Sequence, residues 1–93
     1  MRFVTRLTTL FASKTQTKLI EYLLENRGKV FNQANLSHFI DASPSSIARV
    51  IQPLIRERII MIEQISGMKV IVLNEENEKT KLLISFFEHM QML

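Results

Sequence analysis

Apolar positions along this chain follow two rhythms. Up to residue 56 they recur at three- and four-residue intervals, as on a helix with one buried face; between residues 59 and 73 they run together or alternate, as in strands. The first segment, residues 1–12, reads as a helix or partly helical arm, with Phe3, Leu7, Leu10 and Phe11 on one stripe, Val4 alongside, and Arg2 and Arg6 pointing elsewhere. Ser13-Lys14-Thr15-Gln16 fits a capping box, Ser13 taking an orphan amide and Gln16 reaching back, so a fresh helix starts there. That helix carries Leu19, Ile20, Leu23 and Leu24, runs to about residue 27 and stops at Gly28, which readily adopts a left-handed cap.

Lys29-Val30-Phe31 has room only for a connector or a minimal strand, and Asn32 can cap a second helix of about two turns that includes Leu36, Phe39 and Ile40. Asp41-Ala42 makes a tight connection. Ser43 is then placed as an N-cap, with Pro44 at the first helical position where its missing donor costs nothing. The third helix buries Ile47, Val50, Ile51, Leu54 and Ile55, leaving Ser45, Ser46, Ala48, Arg49, Gln52 and Arg56 on the opposite arc. Pro53 inside it removes one backbone hydrogen bond and should kink it. Residues 59–65 and 68–73, separated by Ser66-Gly67, predict a β-hairpin. With a two-residue loop, Ile60 and Ile62 share a face with Ile71 and Leu73, and Gln64 and Lys69 continue that face to a polar tip; a three-residue loop would shift the register and undo the assignment. Asn74 or Asn77 caps a last helix to about residue 92, with Glu75, Glu76 and Glu78 at its positive end.

The 93 residues suffice for one domain and one modest core, with no internal repeat or low-complexity tract. Hydrophobic residues make up 46% and charged ones 23%, with Gly and Pro two each, which excludes a disordered chain. The expected division is an N-terminal arm over 1–12, a core over 13–74 and a C-terminal dimerisation helix over 75–93. No cysteine is present, so disulfides and thiolate metal sites are excluded and an intracellular, cytoplasmic protein is the simpler expectation. Thr5, Arg6, Thr8 and Thr9 interrupt the apolar stretch near the start, so neither a signal peptide nor a membrane span is expected.

Net charge is +3, mildly favouring a polyanionic partner. Its distribution is more telling. Arg2, Arg6, Lys14, Lys18, Arg27 and Lys29 outweigh Glu21 and Glu25, and Arg49, Arg56 and Arg58 outweigh Asp41 and Glu57, whereas acids exceed bases after residue 60. The acid-rich C-terminal end is therefore not where a nucleic acid would bind.

Two short helices joined by a tight turn and followed at once by a hairpin are the parts of a winged helix-turn-helix, an α+β and mainly α architecture. The stretch from Phe31 to Ile60, above all Ser43-Pro44-Ser45-Ser46-Ile47-Ala48-Arg49, resembles the helix-turn-helix of small prokaryotic winged-helix transcription regulators. It looks closest to the MarR/ArsR-like type common in archaea and their viruses and plasmids. The resemblance covers residues 14–74. Members of those families usually carry Ala where Ser37 stands and Gly where Asp41 and Arg58 stand; an arginine at a left-handed position is the costlier departure.

The resemblance implies double-stranded DNA as partner, with the third helix in the major groove. Arg49 and Gln52 can each contact bases in bidentate fashion, Arg preferring guanine and Gln adenine. Ser43 is a helix cap first, while Ser45 and Ser46 suit phosphates or undiscriminating contacts. The wing tip, Gln64, Ser66 and Lys69, would by the same resemblance lie along the backbone or minor groove. Arg2, Arg6, Lys14 and Lys18 read as surface decoration, and Arg56 and Arg58 as partners for Glu57 or Glu63.

Leu83, Phe86, Phe87 and Met90 form the stripe of the last helix, and Leu82, Ile84, Met92 and Leu93 widen it beyond what one small body needs. Together with Phe3, Leu7, Leu10 and Phe11 it predicts a two-fold homodimer; the alternative is that both ends pack on their own domain. No enzyme, metal site, cofactor or small-molecule ligand is expected: His38 and His89 lie on separate helices, Asp41 is the one aspartate, and no Gly-rich phosphate loop occurs. Two other functional classes stay open, a winged helix that docks proteins without reading DNA, and a role in RNA binding, replication or plasmid maintenance.

Overall fold

A computed structural model of the chain describes residues 7–93. Phe3, assigned above to a subunit interface, and the neighbouring Arg2 and Arg6 lie outside the described residues. The elements follow in the order α1 (Leu7–Leu10), α2 (Lys14–Glu25), α3 (Gln33–Phe39), α4 (Pro44–Arg56), β1 (Ile60–Ile65), β2 (Met68–Leu73) and α5 (Glu78–Gln91). Leu19 and Leu23 of α2, Leu36 of α3, Ile47 and Leu54 of α4, and Ile59 and Ile60 at the base of the hairpin are fully buried and meet in one core.

Polar side chains decide where the helices begin. Ser13 accepts from the Gln16 amide at 3.1 Å, as its spacing predicts. Gln16, however, does not reach back to Ser13. It is buried, and its Nε2 donates to the carbonyls of Thr9 at 2.6 Å and Leu10 at 2.8 Å, so it fastens the end of α1 to the start of α2. Leu10 follows it into the core. Asn32 caps α3 reciprocally with Asn35, and Asn77 caps α5 by accepting from the amides of Lys79 and Thr80. Asn74 has a different duty: its amide N–H bonds to Ile59 O at 2.8 Å and its side chain to Arg58 O at 3.0 Å, bracing the corner between α4 and β1.

That corner needs bracing because Arg58 sits at φ 61°, in the left-handed region. Asp41 in the α3–α4 turn is at φ 54°. Both positions where glycine was expected are thus left-handed in fact. Ser37 explains itself here, since its hydroxyl donates to Ala42 O and the Ala42 amide returns a bond to Ser37 O at 3.0 Å, locking the turn. Pro53 lies inside α4, which runs unbroken to Arg56.

The hairpin has the two-residue loop. Ser66 at φ 51° and Gly67 at φ 79° supply the paired positive angles of a type I′ turn, and the register sets Ile60 against Leu73, Ile62 against Ile71 and Gln64 against Lys69. Phe31 forms an antiparallel bridge with Ile71, so the short connector after α2 becomes a one-residue third strand.

The terminal stripes are divided. Leu10, expected at a subunit interface, is buried in the chain's own core, and Leu83 and Phe87 of α5, expected there too, pack half-buried against that core together with Ile84. Leu7, Phe11, Leu82, Phe86 and Met90 remain exposed.

Candidate nucleic-acid interface

The N-terminus of α4 is set by serines. Ser43 Oγ accepts from the Ser46 amide at 3.1 Å and lies 3.1 Å from Ser45 Oγ and 2.9 Å from Ser46 Oγ. The three hydroxyls form one cap network at the positive end of the helix, where an anion is favoured. Gln33, the first residue of α3, donates from Nε2 to Pro44 O at 2.9 Å and so brings the two helix N-termini together.

Along α4, Ser45, Arg49, Gln52 and Arg56 stand at i, i+4, i+7 and i+11, a row confined to an arc of roughly 60° at about 100° per residue. All four are exposed, opposite the buried Ile47, Val50, Ile51 and Leu54. Neither Arg49 nor Arg56 makes an ion pair among the described residues, and nor does Arg58. Glu57, one of the two carboxylates expected beside Arg56 and Arg58, pairs with Lys79 of α5. The row keeps its charge.

The wing adds a second edge. Lys69 and Gln64 face each other on the strand face that also carries Ile62 and Ile71, and Ser66 lies in the turn at the tip. Lys69 and Gln52 line one cleft, floored by Ile51, Ile55, Ile62 and Ile71, with Gln33 at its side. The structure therefore brings together Gln52 and Lys69, which lie seventeen positions apart in sequence, and keeps Ser43, Ser45, Ser46 and Arg49 along the same helix. Gln33 and Arg56 belong to this surface and were not singled out for it. Arg56 was legible from its place on the row; Gln33 was not, because only the pairing with Pro44 O carries it there.

Among the described residues no group of three or more His, Asp or Glu could hold a metal ion, and no helix is long and apolar enough to cross a membrane. His38 packs edge-on against Phe39, while His89 Nδ1 lies 2.7 Å from Ser85 O on α5.

Solved structures share this fold. HlyU from Vibrio cholerae N16961 superposes with a TM-score of 0.70 at 15% identity, over 94% of this chain and 89% of that one. MepR, a transcription regulator of the Staphylococcus aureus multidrug efflux pump MepA, gives 0.68 at 16%, over 92% of this chain and 65% of its own. RV1404 from Mycobacterium tuberculosis gives 0.64 at 16%, over 86% and 55%. At such identities the likeness establishes the fold, a winged helix with a two-stranded wing. No protein-family model and no curated protein matches the sequence.

Proposed function

We propose that this chain binds double-stranded DNA sequence-specifically and regulates transcription as a homodimer on a pseudo-palindromic operator. One observation carries the reading: α4 presents an exposed row of Ser45, Arg49, Gln52 and Arg56 whose arginines have no acidic partner among the described residues, beside a cleft that Gln52 shares with the wing's Lys69. A helix fills the major groove, and a guanidinium and a primary amide are the groups that read guanine and adenine there. The α4 N-terminus and Lys69 would hold phosphates on either side. That MepR, of the same fold, is a transcription regulator supports this reading. A winged helix used only to dock proteins has no need of two uncompensated arginines and a glutamine on that row.

The exposed Leu7, Phe11, Leu82, Phe86 and Met90 supply the dimer surface. Two-fold symmetry would then set the α4 helices about one DNA turn, ~34 Å, apart.

Selection of bound duplexes from a random pool at two salt concentrations tests the proposal, the expected result being a two-fold consensus. On the selected site Arg49→Ala should lose ~1–3 kcal/mol and relax one base position, whereas Lys69→Ala should weaken selected and scrambled duplexes alike and lower the salt slope by about one. A retained pool without consensus, or equal losses for both variants on both DNAs, would overturn it.

A further inference from the structure

On α2, α3 and the connector between them, apart from the α4 row, four rings form a platform. Tyr22 and Phe39 stack with centroids 5.5 Å apart and planes 17° apart; Phe31 supports both, tilted on Tyr22 at 5.3 Å and edge-on to Phe39 at 6.2 Å. His38 closes the outer edge of Phe39 at 5.6 Å. Phe39 is thus held from three sides and yet 53% exposed. A ring fixed this firmly with half its surface in water is poised for a partner.

The rim identifies the partner's chemistry. Glu21, Glu25 and Asp41 border the Tyr22–Phe39 surface, with Lys18 as the one cation among its lining residues. None of the three carboxylates makes an ion pair or a side-chain hydrogen bond among the described residues. On a chain of net charge +3 this is a local negative excess around a π surface. An aromatic face ringed by carboxylates attracts cations, and a guanidinium suits it best, since it stacks flat on a ring while its edge donates to carboxylates in pairs. Charge excludes a nucleic acid. The openness of the surface, where Lys18, Glu21, Glu25, Phe39 and Asp41 are all exposed, argues against a free small molecule, which needs a concavity that buries most of it.

We infer that this platform docks an arginine-bearing basic segment of a protein partner, the guanidinium stacking on Phe39 and pairing with Glu25 or Asp41. The docking is independent of the α4 row and stands whether or not that row reads DNA.

Titration of the isotopically labelled full chain with blocked hexa-arginine, followed by NMR, tests this. Saturable shifts of the Phe39 and Tyr22 ring resonances are expected, with hexalysine binding more weakly. Phe39→Ala should lower the affinity about five- to tenfold, as should the double variant Glu25→Gln, Asp41→Asn. The double variant keeps the test decisive if Phe39→Ala loosens the fold, because both positions are exposed and asparagine tolerates the positive φ at 41. Three results would each overturn the inference: shifts centred on Glu75, Glu76 and Glu78, an acidic run without rings; equal affinity for hexalysine; or tighter occupancy by tetramethylammonium, which would make this a small-cation site.

Discussion

Thr80 carries a buried hydroxyl with no hydrogen-bond partner among the described residues. Its backbone serves the α5 cap, its methyl packs, and its oxygen has lost water without a replacement. An unmet buried hydroxyl costs roughly 1–3 kcal/mol, so Thr80→Val, which keeps the shape and removes the polar atom, should raise stability by about 1 kcal/mol, read as a higher urea midpoint at unchanged slope. A lower midpoint would mean that the hydroxyl is bonded. Nothing in the sequence marks Thr80, whose burial depends on how α5 docks. Other single residues were legible because local chemistry fixes them. Ser13, Asn32 and Ser43 read as caps; Asp41 and Arg58, where φ is 54° and 61°, stood out only through the resemblance, which implies glycine at both positions.

At the scale of the element, the described part of α1 spans four residues, barely one helical turn, which alone gives little stability. The buried Gln16 amide is what anchors it, through its bonds to Thr9 O and Leu10 O. Gln16→Met preserves volume and withdraws both donors. It should cost about 2 kcal/mol and speed hydrogen exchange at the Phe11 amide, which donates to Leu7 O at 2.8 Å. Unchanged exchange there would show that apolar packing of Leu10 alone holds α1. The capping motif was visible in sequence, but the destination of the glutamine was not, because a capping-box reading assumes a partner within the same turn. The hairpin was legible from Ser66-Gly67 between two apolar runs, and once the structure fixes a two-residue loop over a three-residue one, the pairing of Gln64 with Lys69 follows arithmetically. Most of the proposed DNA surface was legible for the same reason, the α4 row being set by helical period alone, whereas Gln33 joins it only through a contact between elements.

For the whole molecule the question is what covers the apolar ends. Periodicity alone could not separate the α5 residues that serve the monomer from those left over, because both lie on one widened stripe; only the docking angle of α5 on α2 divides them. Removing α5 therefore cannot test dimerisation cleanly, as it would also strip Thr80, Leu83, Ile84 and Phe87 from the core. A surface substitution can. Phe86 is 64% exposed and, with Leu7, Phe11 and Leu82, lines an apolar groove between α1 and α5. Phe86→Glu should leave the monomer fold within roughly 0.5 kcal/mol, because most of the ring faces solvent, while placing a charge in the centre of the proposed subunit interface. Light scattering should then show half the wild-type mass. Affinity for a two-half-site duplex should fall steeply while that for a single half-site stays constant, because the pairing of two α4 helices, and not either helix, is lost. Leu83→Glu is the contrast, a charge placed against the chain's own core, and should unfold the chain instead. A wild-type protein that already scatters as a monomer, or a Phe86→Glu protein that keeps the full mass, would remove this groove as the two-fold contact and leave operator binding to single chains.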